Sequence, residues 1–327
     1  MGSDADRGII IGSDTSDDAA IVSVDNGGDH LVLTADVIAP IVDDAETFGR
    51  IAATNSISDV YAMGGTPLYA LNLVFFPDDK LPGEVLAAML RGGAEAARTA
   101  GIAIVGGHTV RDDQVKYGLS VTGRVGPNQL LANTTAKAGQ ALVVSKALGT
   151  GVIGTAIKNQ LASAVEADAA IQSMTTHNAS ALRCAQEMGV TAATDVTGFG
   201  LLGHLRNILR GSQLTAALQM SSLPFLPGAL EHARAGRVPG GSRANLAFIE
   251  PTLTRRGEDT RTDLHELQTL LAADAQTSGG LLLCVDEKRA DALVTMLREQ
   301  GLIAEHIGQL SAPSKDCEAG TTTLVFS

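Results

Sequence analysis

The sequence predicts a two-domain protein of mixed class, an α/β half followed by an α+β half. Three observations carry that reading. The chain has 327 residues, more than one ordinary domain of roughly 100–200 residues uses. Strand and helix patterns recur in mixed order throughout. A polar, turn-rich stretch over 126–139, with Pro127, Asn128, Asn133 and two threonines, separates the halves. The domains are accordingly placed at 1–138 and 139–327.

In the first half, apolar runs at 19–24 and 30–34 read as strands, and a helical pattern runs over 44–63. A strand at 68–76, a helix at 82–100 and a short strand at 102–105 follow. The alternation over 117–125 places Tyr117, Leu119, Val121 and Gly123 on one face of a strand. The second half opens with a strand at 141–145, a helix at 151–159, a long helix at 166–188 and a strand at 191–194. It continues with a helix at 200–210, a strand at 214–220, a helix at 264–271, a strand at 280–285 and a helix at 287–300. Strands near Ile303 and Thr322 close it. The segments 239–245 (PGGSRAN) and 250–262 read as surface loops. No short-period repeat is visible, which excludes a solenoid.

Composition narrows the function classes. Hydrophobic residues at 45% against 18% charged fit a compact chain, not a disordered one. A net charge of −12 repels a phosphate backbone, so nucleic acid is not an expected partner. The acidity is uneven: residues 1–60 hold twelve carboxylates against Arg7 and Arg50. Either a solvated acidic face or divalent-cation binding explains that clustering. Cys184, Cys284 and Cys317 lie far apart without a CxxC, suggesting neither a zinc site nor a disulfide framework. No apolar window long enough to span a bilayer and no signal-peptide pattern occur, so a cytoplasmic protein without membrane contact is expected.

Several motifs could carry chemistry. SDTSDDAA over 13–20 ends in adjacent Asp17 and Asp18 at a strand entrance, an arrangement suited either to a hard cation or to an Asx turn. Asp36 lies toward the end of a strand, where ligands settle in open α/β folds, though a cap or turn role is the plainer alternative. Asn55 and Asp59, four apart, share one helix face. Asp195 follows an apolar strand and precedes VTGFGLLGH, a glycine-punctuated helix entry whose amides could approach an anion. Gly106, Gly107, His108 and Thr109 follow the strand at 102–105 and could offer amides and a hydroxyl to phosphate oxygens. Gly149–Gly154 matches GxGxxG, a weak dinucleotide signal, and fails as a Walker loop because Thr155 and Ala156 stand where Lys and Ser or Thr belong.

Together these segments resemble the selenide, water dikinase family over nearly the whole chain. The matches run in order: TSDDAA at 15–20, FGRIAATNSISDVYAMGG at 48–65, GGHT at 106–109, LGTGV at 148–152, TDVTGFGLLGH at 194–204, VPGG at 238–241 and QTSGGLL at 276–282. The resemblance implies a two-domain fold similar to aminoimidazole ribonucleotide synthetases, with an N-terminal domain that binds ATP and pairs in a homodimer. It implies ATP-dependent synthesis of selenophosphate from selenide, releasing AMP and phosphate, with Mg2+ on the polyphosphate. By this resemblance Asp18, Asp59 and Asp195 are magnesium ligands, and Thr15, Ser16, Asp17, Asp36, Asp59, Gly107, His108 and Thr109 contact the nucleotide.

The family carries its reactive Cys or selenocysteine, and a Lys, upstream of the position matching Met1, so no catalytic residue is expected within this sequence. An internal Met read as a start, or a truncated chain, would account for that. Ala275 stands where the family usually has Pro, a change expected to affect loop stiffness alone. Thiamine-monophosphate kinase and aminoimidazole ribonucleotide synthetase share the implied fold, and the TDVTGFGLLGH and QTSGGLL pair argues against both. A nucleotide-binding protein derived from this family, non-catalytic or ATPase-only, is the alternative of a different class.

Overall fold

The computed structural model describes residues 8–24, 28–257, 262–315 and 317–326. The chain divides into two compact units, Met1–Leu130 with Met174–Ala179, and Leu131–Ser173 with Ser180–Ser327.

The first unit is a six-stranded sheet of β1 (Ile9–Ile11), β2 (Ala20–Ser23), β3 (His30–Ile38), β4 (Thr66–Phe76), β5 (Ala103–Arg111) and β6 (Lys116–Val125). The spatial order is β1-β2-β3-β6-β4-β5, antiparallel except for the β4/β5 pair. Two helices, α1 (Ala45–Ala62) and α2 (Gly83–Thr99), accompany it. Asp44 caps α1, its carboxylate accepting from the Thr47 amide at 2.7 Å. Packed against α2 and against β3 and β6, α1 is buried nearly all round, which explains its lack of a polar stripe. The face of the sheet turned away from α1 leaves Leu33, Val37, Tyr69 and Leu71 exposed, and Val105 is exposed on the edge strand β5.

The second unit is a seven-stranded sheet of β7 (Gln140–Val144), β8 (Ala192–Asp195), β9 (Thr215–Gln219), β10 (Leu253–Arg256), β11 (Leu281–Asp286), β12 (Glu305–Ser311) and β13 (Thr322–Val325). Its order is β10-β13-β9-β12-β7-β11-β8. The helices are α3 (Thr150–Lys158), α4 (Ala164–Thr175), α5 (Ala179–Glu187), α6 (Gly200–Gly211), α7 (Ala229–Arg234), α8 (Gly240–Ile249), α9 (Asp263–Ala272) and α10 (Ala290–Glu299). Every residue of β7 and β8 and all but the last of β11 is buried. Strands covered on both faces read as continuous apolar runs, as ALVV and LLLCV do. Leu201, Leu205 and Ile208 of α6 join Leu142, Leu282 and Ile307 in the core.

The structure corrects four sequence expectations. The strand expected over 102–105 continues to Arg111, because pairing with Leu71–Phe76 of β4 carries it through two glycines that interrupt a strand pattern. The helix expected over 166–188 is two helices broken at 176–178. There Thr176 and Asn178 are poor interior helix residues, and Asn178 Nδ2 donates to the Ser58 hydroxyl at 2.8 Å instead. PGGSRAN is not a loop: Pro239 precedes the first turn of α8, and a buried Ser242 anchors it. The charged stretch expected as a loop over 250–262 contains β10, paired in parallel with β13, and residues 258–261 of it lie outside the described residues. β1 and α7 were not anticipated.

Candidate functional site

In the first unit, α1 lies over β3, and polar residues four apart on the helix meet polar residues two apart on the strand. Asn55 Nδ2 donates to Asp36, and the Thr34 hydroxyl donates to Asp59. Ser56, between them, donates to the backbone oxygens of Asp36 and Ala52 at 3.0 Å and accepts from the Leu119 amide. The shared face expected for Asn55 and Asp59 is therefore the face that holds the strand carboxylate. Burial pushes the Asp36 carboxyl above its ordinary range, against the lowering effect of Asn55.

The remaining first-unit candidates flank this pair. β2 runs antiparallel to β3 with Ala20 opposite Leu33, so the chain reaches β2 from alongside Thr34–Asp36 and brings Asp17 and Asp18 to that end. The Thr15 hydroxyl closes onto Asp17, and Ser16 sits at φ +52° in the turn. On the other side, one row of the sheet reads Asp36, Leu119, Asn72, Gly107. Three strand spacings set Gly107 about 14 Å from Asp36, with His108 and Thr109 next along the exposed edge strand. A Cβ on Gly107 would stand 2.4 Å from the Asn72 carbonyl oxygen, so only glycine lets β5 approach β4 so closely here.

In the second unit Asp195 is the last residue of β8 and 1% exposed. The loop after it is pinned residue by residue. The Val196 amide donates to the Gly280 carbonyl at 2.9 Å, and the Thr197 carbonyl accepts from the Gln276 amide at 2.9 Å. His204, one turn into α6, accepts at Nε2 from the Thr197 amide at 3.2 Å, which leaves the Nδ1 proton facing the Thr194 hydroxyl. Burial pulls the His204 pKa down to about 4, so the imidazole is a neutral strut at physiological pH. Lys146, buried just beyond β7, donates to the carbonyls of Ser173 and Ser278 at 3.0 and 2.8 Å. Burial pushes its pKa down to about 7, and the Asp195 charge opposes that shift.

The glycine-rich entry to α3 has no room for a pyrophosphate. Gln276 Oε1 accepts from the amides of Gly149 and Thr150, and Asp274 Oδ2 accepts from those of Gly151 and Val152, all at 2.9–3.1 Å. The amides that a dinucleotide would need are already bonded within the protein, which removes the GxGxxG reading.

The donor set fits magnesium. Among the described residues no three His, Cys, Asp or Glu side chains gather as a metal-holding group. Magnesium, however, takes one or two carboxylates and completes its shell with water and substrate phosphate. Asp59, with Asp18 at the same end of β3, offers oxygen donors of that kind. Asp195 supplies one in the second unit.

Known proteins show the family and the fold. The chain matches the AIR synthase related protein family, its N-terminal domain over residues 16–125 and its C-terminal domain over residues 137–316. It is 42% identical over 314 residues to a selenide, water dikinase of Geobacter metallireducens, covering 96% of this chain and 89% of that one. It is 43% identical over 303 residues to a selenide, water dikinase of Carboxydothermus hydrogenoformans, covering 93% and 86%. The chain belongs to the selenide, water dikinase family. The aminoimidazole ribonucleotide synthetase-like fold also recurs in solved structures. A thiamine-monophosphate kinase from Stenotrophomonas maltophilia superposes with a TM-score of 0.68 at 20% identity, covering 97% of this chain and 91% of that one. The hydrogenase maturation protein HypE in complex with ATP superposes with a TM-score of 0.68 at 19% identity, covering 96% and 86%.

Sequence reasoning did not single out Thr34, Lys146 or Asp274, and it met Asn245 and Gln276 only inside the segments PGGSRAN and QTSGGLL. For Lys146 the available signal was a lysine inside the apolar run LVVSKALG, since charged side chains are rarely buried without a partner.

Proposed function

We propose that this chain transfers the γ-phosphoryl group of ATP to selenide, and that the remaining ADP reacts with water, so that selenophosphate, AMP and phosphate leave. The observation that carries the reading is the 42–43% identity to selenide, water dikinases along more than nine-tenths of the chain. In this proposal residues 1–138 form the ATP- and magnesium-binding and dimerisation domain, residues 139–327 the α+β domain. Asp18, Asp59 and Asp195 hold Mg2+; Thr15, Ser16, Asp17, Asp36, Asp59, Gly107, His108 and Thr109 contact the nucleotide.

Phosphoryl transfer asks a protein for positioning and charge neutralisation more than for covalent chemistry. Magnesium, when bound, neutralises the polyphosphate and aligns it. Thr34 and Asn55 fix the rotamers of Asp59 and Asp36, so those carboxylates meet their ligand already oriented. The exposed apolar residues Leu33, Val37, Tyr69 and Leu71 support pairing of two chains through the first sheet. No described helix is long and apolar enough to cross a membrane, and three free cysteines, two of them buried, suit the reducing cytoplasm in which we place the protein.

Phosphorus NMR of ATP, magnesium and selenide tests the activity. Selenophosphate and AMP in equal amounts are expected. ATP binding without selenophosphate would replace this reading with that of a nucleotide-binding relative.

A further inference from the structure

The helix α8 has no role in the reading above, and its inner face carries polar side chains beside the apolar Leu246 and Ile249 that seat it on the core. Ser242 and Asn245, three apart, share that face. The Ser242 hydroxyl donates to Asp274 Oδ1 at 2.6 Å and accepts from the Ala275 amide at 3.0 Å. Asn245 spends its two amide protons on two different loops: Nδ2 donates to the Gly198 carbonyl at 2.9 Å and to the Ala273 carbonyl at 3.1 Å. One side chain thus ties the loop that follows Asp195 to the turn that leads into β11. The cation–π contact of Arg206 on α6 with Phe248 on α8, 4.9 Å from the ring centroid, and the packing of Leu246 on the core seat the helix for that task.

We infer that α8 is a positioning element for the Asp195 loop and that Asn245 is its positioning residue. The inference rests on the reading of Asp195 as a magnesium ligand. The other pins of the loop, at Val196 and Thr197, come from the β11 turn and from α6. Asn245 reaches it from α8, and at Gly198, three residues from Asp195, it adds a bond to those pins. Removing it takes one bond from Gly198 and one from Ala273, and so loosens the loop that follows the Asp195 carboxylate. Partners that hold a metal ligand without touching the metal commonly govern affinity in this way.

Calorimetric titration of ATP at graded magnesium concentrations tests the inference on the whole protein, using Asn245→Ala, Asp195→Asn and Arg243→Ala, the last on an outward position of the same helix. Asn245 is half-exposed and alanine is the better helix former, so that variant folds. Half-saturation of ATP binding by Asn245→Ala is expected to need about tenfold more magnesium, with wild-type ATP affinity regained at saturating magnesium. Arg243→Ala should match the wild type. An unchanged magnesium requirement in Asn245→Ala, while Asp195→Asn shifts it, overturns the inference and leaves the site reading standing. ATP binding that saturating magnesium does not restore overturns it as well, marking a general loss of structure. If Asp195→Asn itself leaves the requirement unchanged, the site reading fails and this inference falls with it.

Discussion

Asp274 shows what a buried side chain can do to a folded unit through a single proton. It accepts from two α3 amides, from Ser242 and from Gln276, yet burial outweighs those bonds and lifts its pKa to about 6. In the unfolded chain the same carboxyl titrates near 4. Between those values the folded protein keeps a proton that the unfolded chain has released. The stability contributed by protonated Asp274 is therefore full below about pH 4 and is lost as pH rises through about 6, by on the order of 3 kcal/mol. Asp274→Asn holds a neutral amide at every pH. Urea melts from pH 4 to pH 7 should show the variant gaining on the wild type across that window, and parallel stability curves would contradict the assignment. The residue was not legible in the sequence, because its partners Gly151 and Ser242 lie 123 and 32 positions away. Asp17, Asp18, Asp36, Asp59 and Asp195 were singled out because each stands at the end of an apolar run or in a short polar motif.

At the scale of elements, α1 and α2 touch backbone to backbone. A Cβ on Gly49 would lie 1.9 Å from the Met89 carbonyl oxygen, and one on Gly92 would lie 1.9 Å from that of Glu46. Each helix therefore contributes a glycine to the crossing, and neither can gain a methyl group without the helices separating. Gly92→Ala is expected to destabilise the protein by about 1–3 kcal/mol, the cost of overpacking a closed contact, despite alanine's better helix propensity. Gly83→Ala, at the open start of α2, should be neutral within error. Urea denaturation compares the two, and equal effects would show that the crossing yields easily. The sequence revealed both helices by their length and composition, and it revealed the buried strands by their apolar runs. It hid the continuation of β5, the break between α4 and α5, and the helical state of PGGSRAN. In all three cases a distant partner overrides local preference: β4 pairing, the Asn178–Ser58 bond, and the Ser242–Asp274 bond.

At the scale of the molecule, the two sheets solve the problem of burial differently. The second unit covers the centre of its sheet on both faces, leaving β7 and β8 wholly buried. The first unit places both of its long helices over one face, and the opposite face carries Tyr69 at 55% exposure with Leu33, Val37 and Leu71 around it. Apolar side chains collected on a sheet face are costly to leave in water, at about 25 cal/mol for each Å2 that a partner could cover. A second copy of the same face is the occupant proposed above. Tyr69→Asp would bury a carboxylate at the middle of that contact, where a charge without a partner costs several kcal/mol, while leaving α1 and α2 untouched on the far side. Sedimentation equilibrium should find the wild type as a dimer at micromolar concentration and Tyr69→Asp as a folded monomer. A monomeric wild type would mean that this face meets a different partner, and the pairing assigned to the first unit would have to be withdrawn.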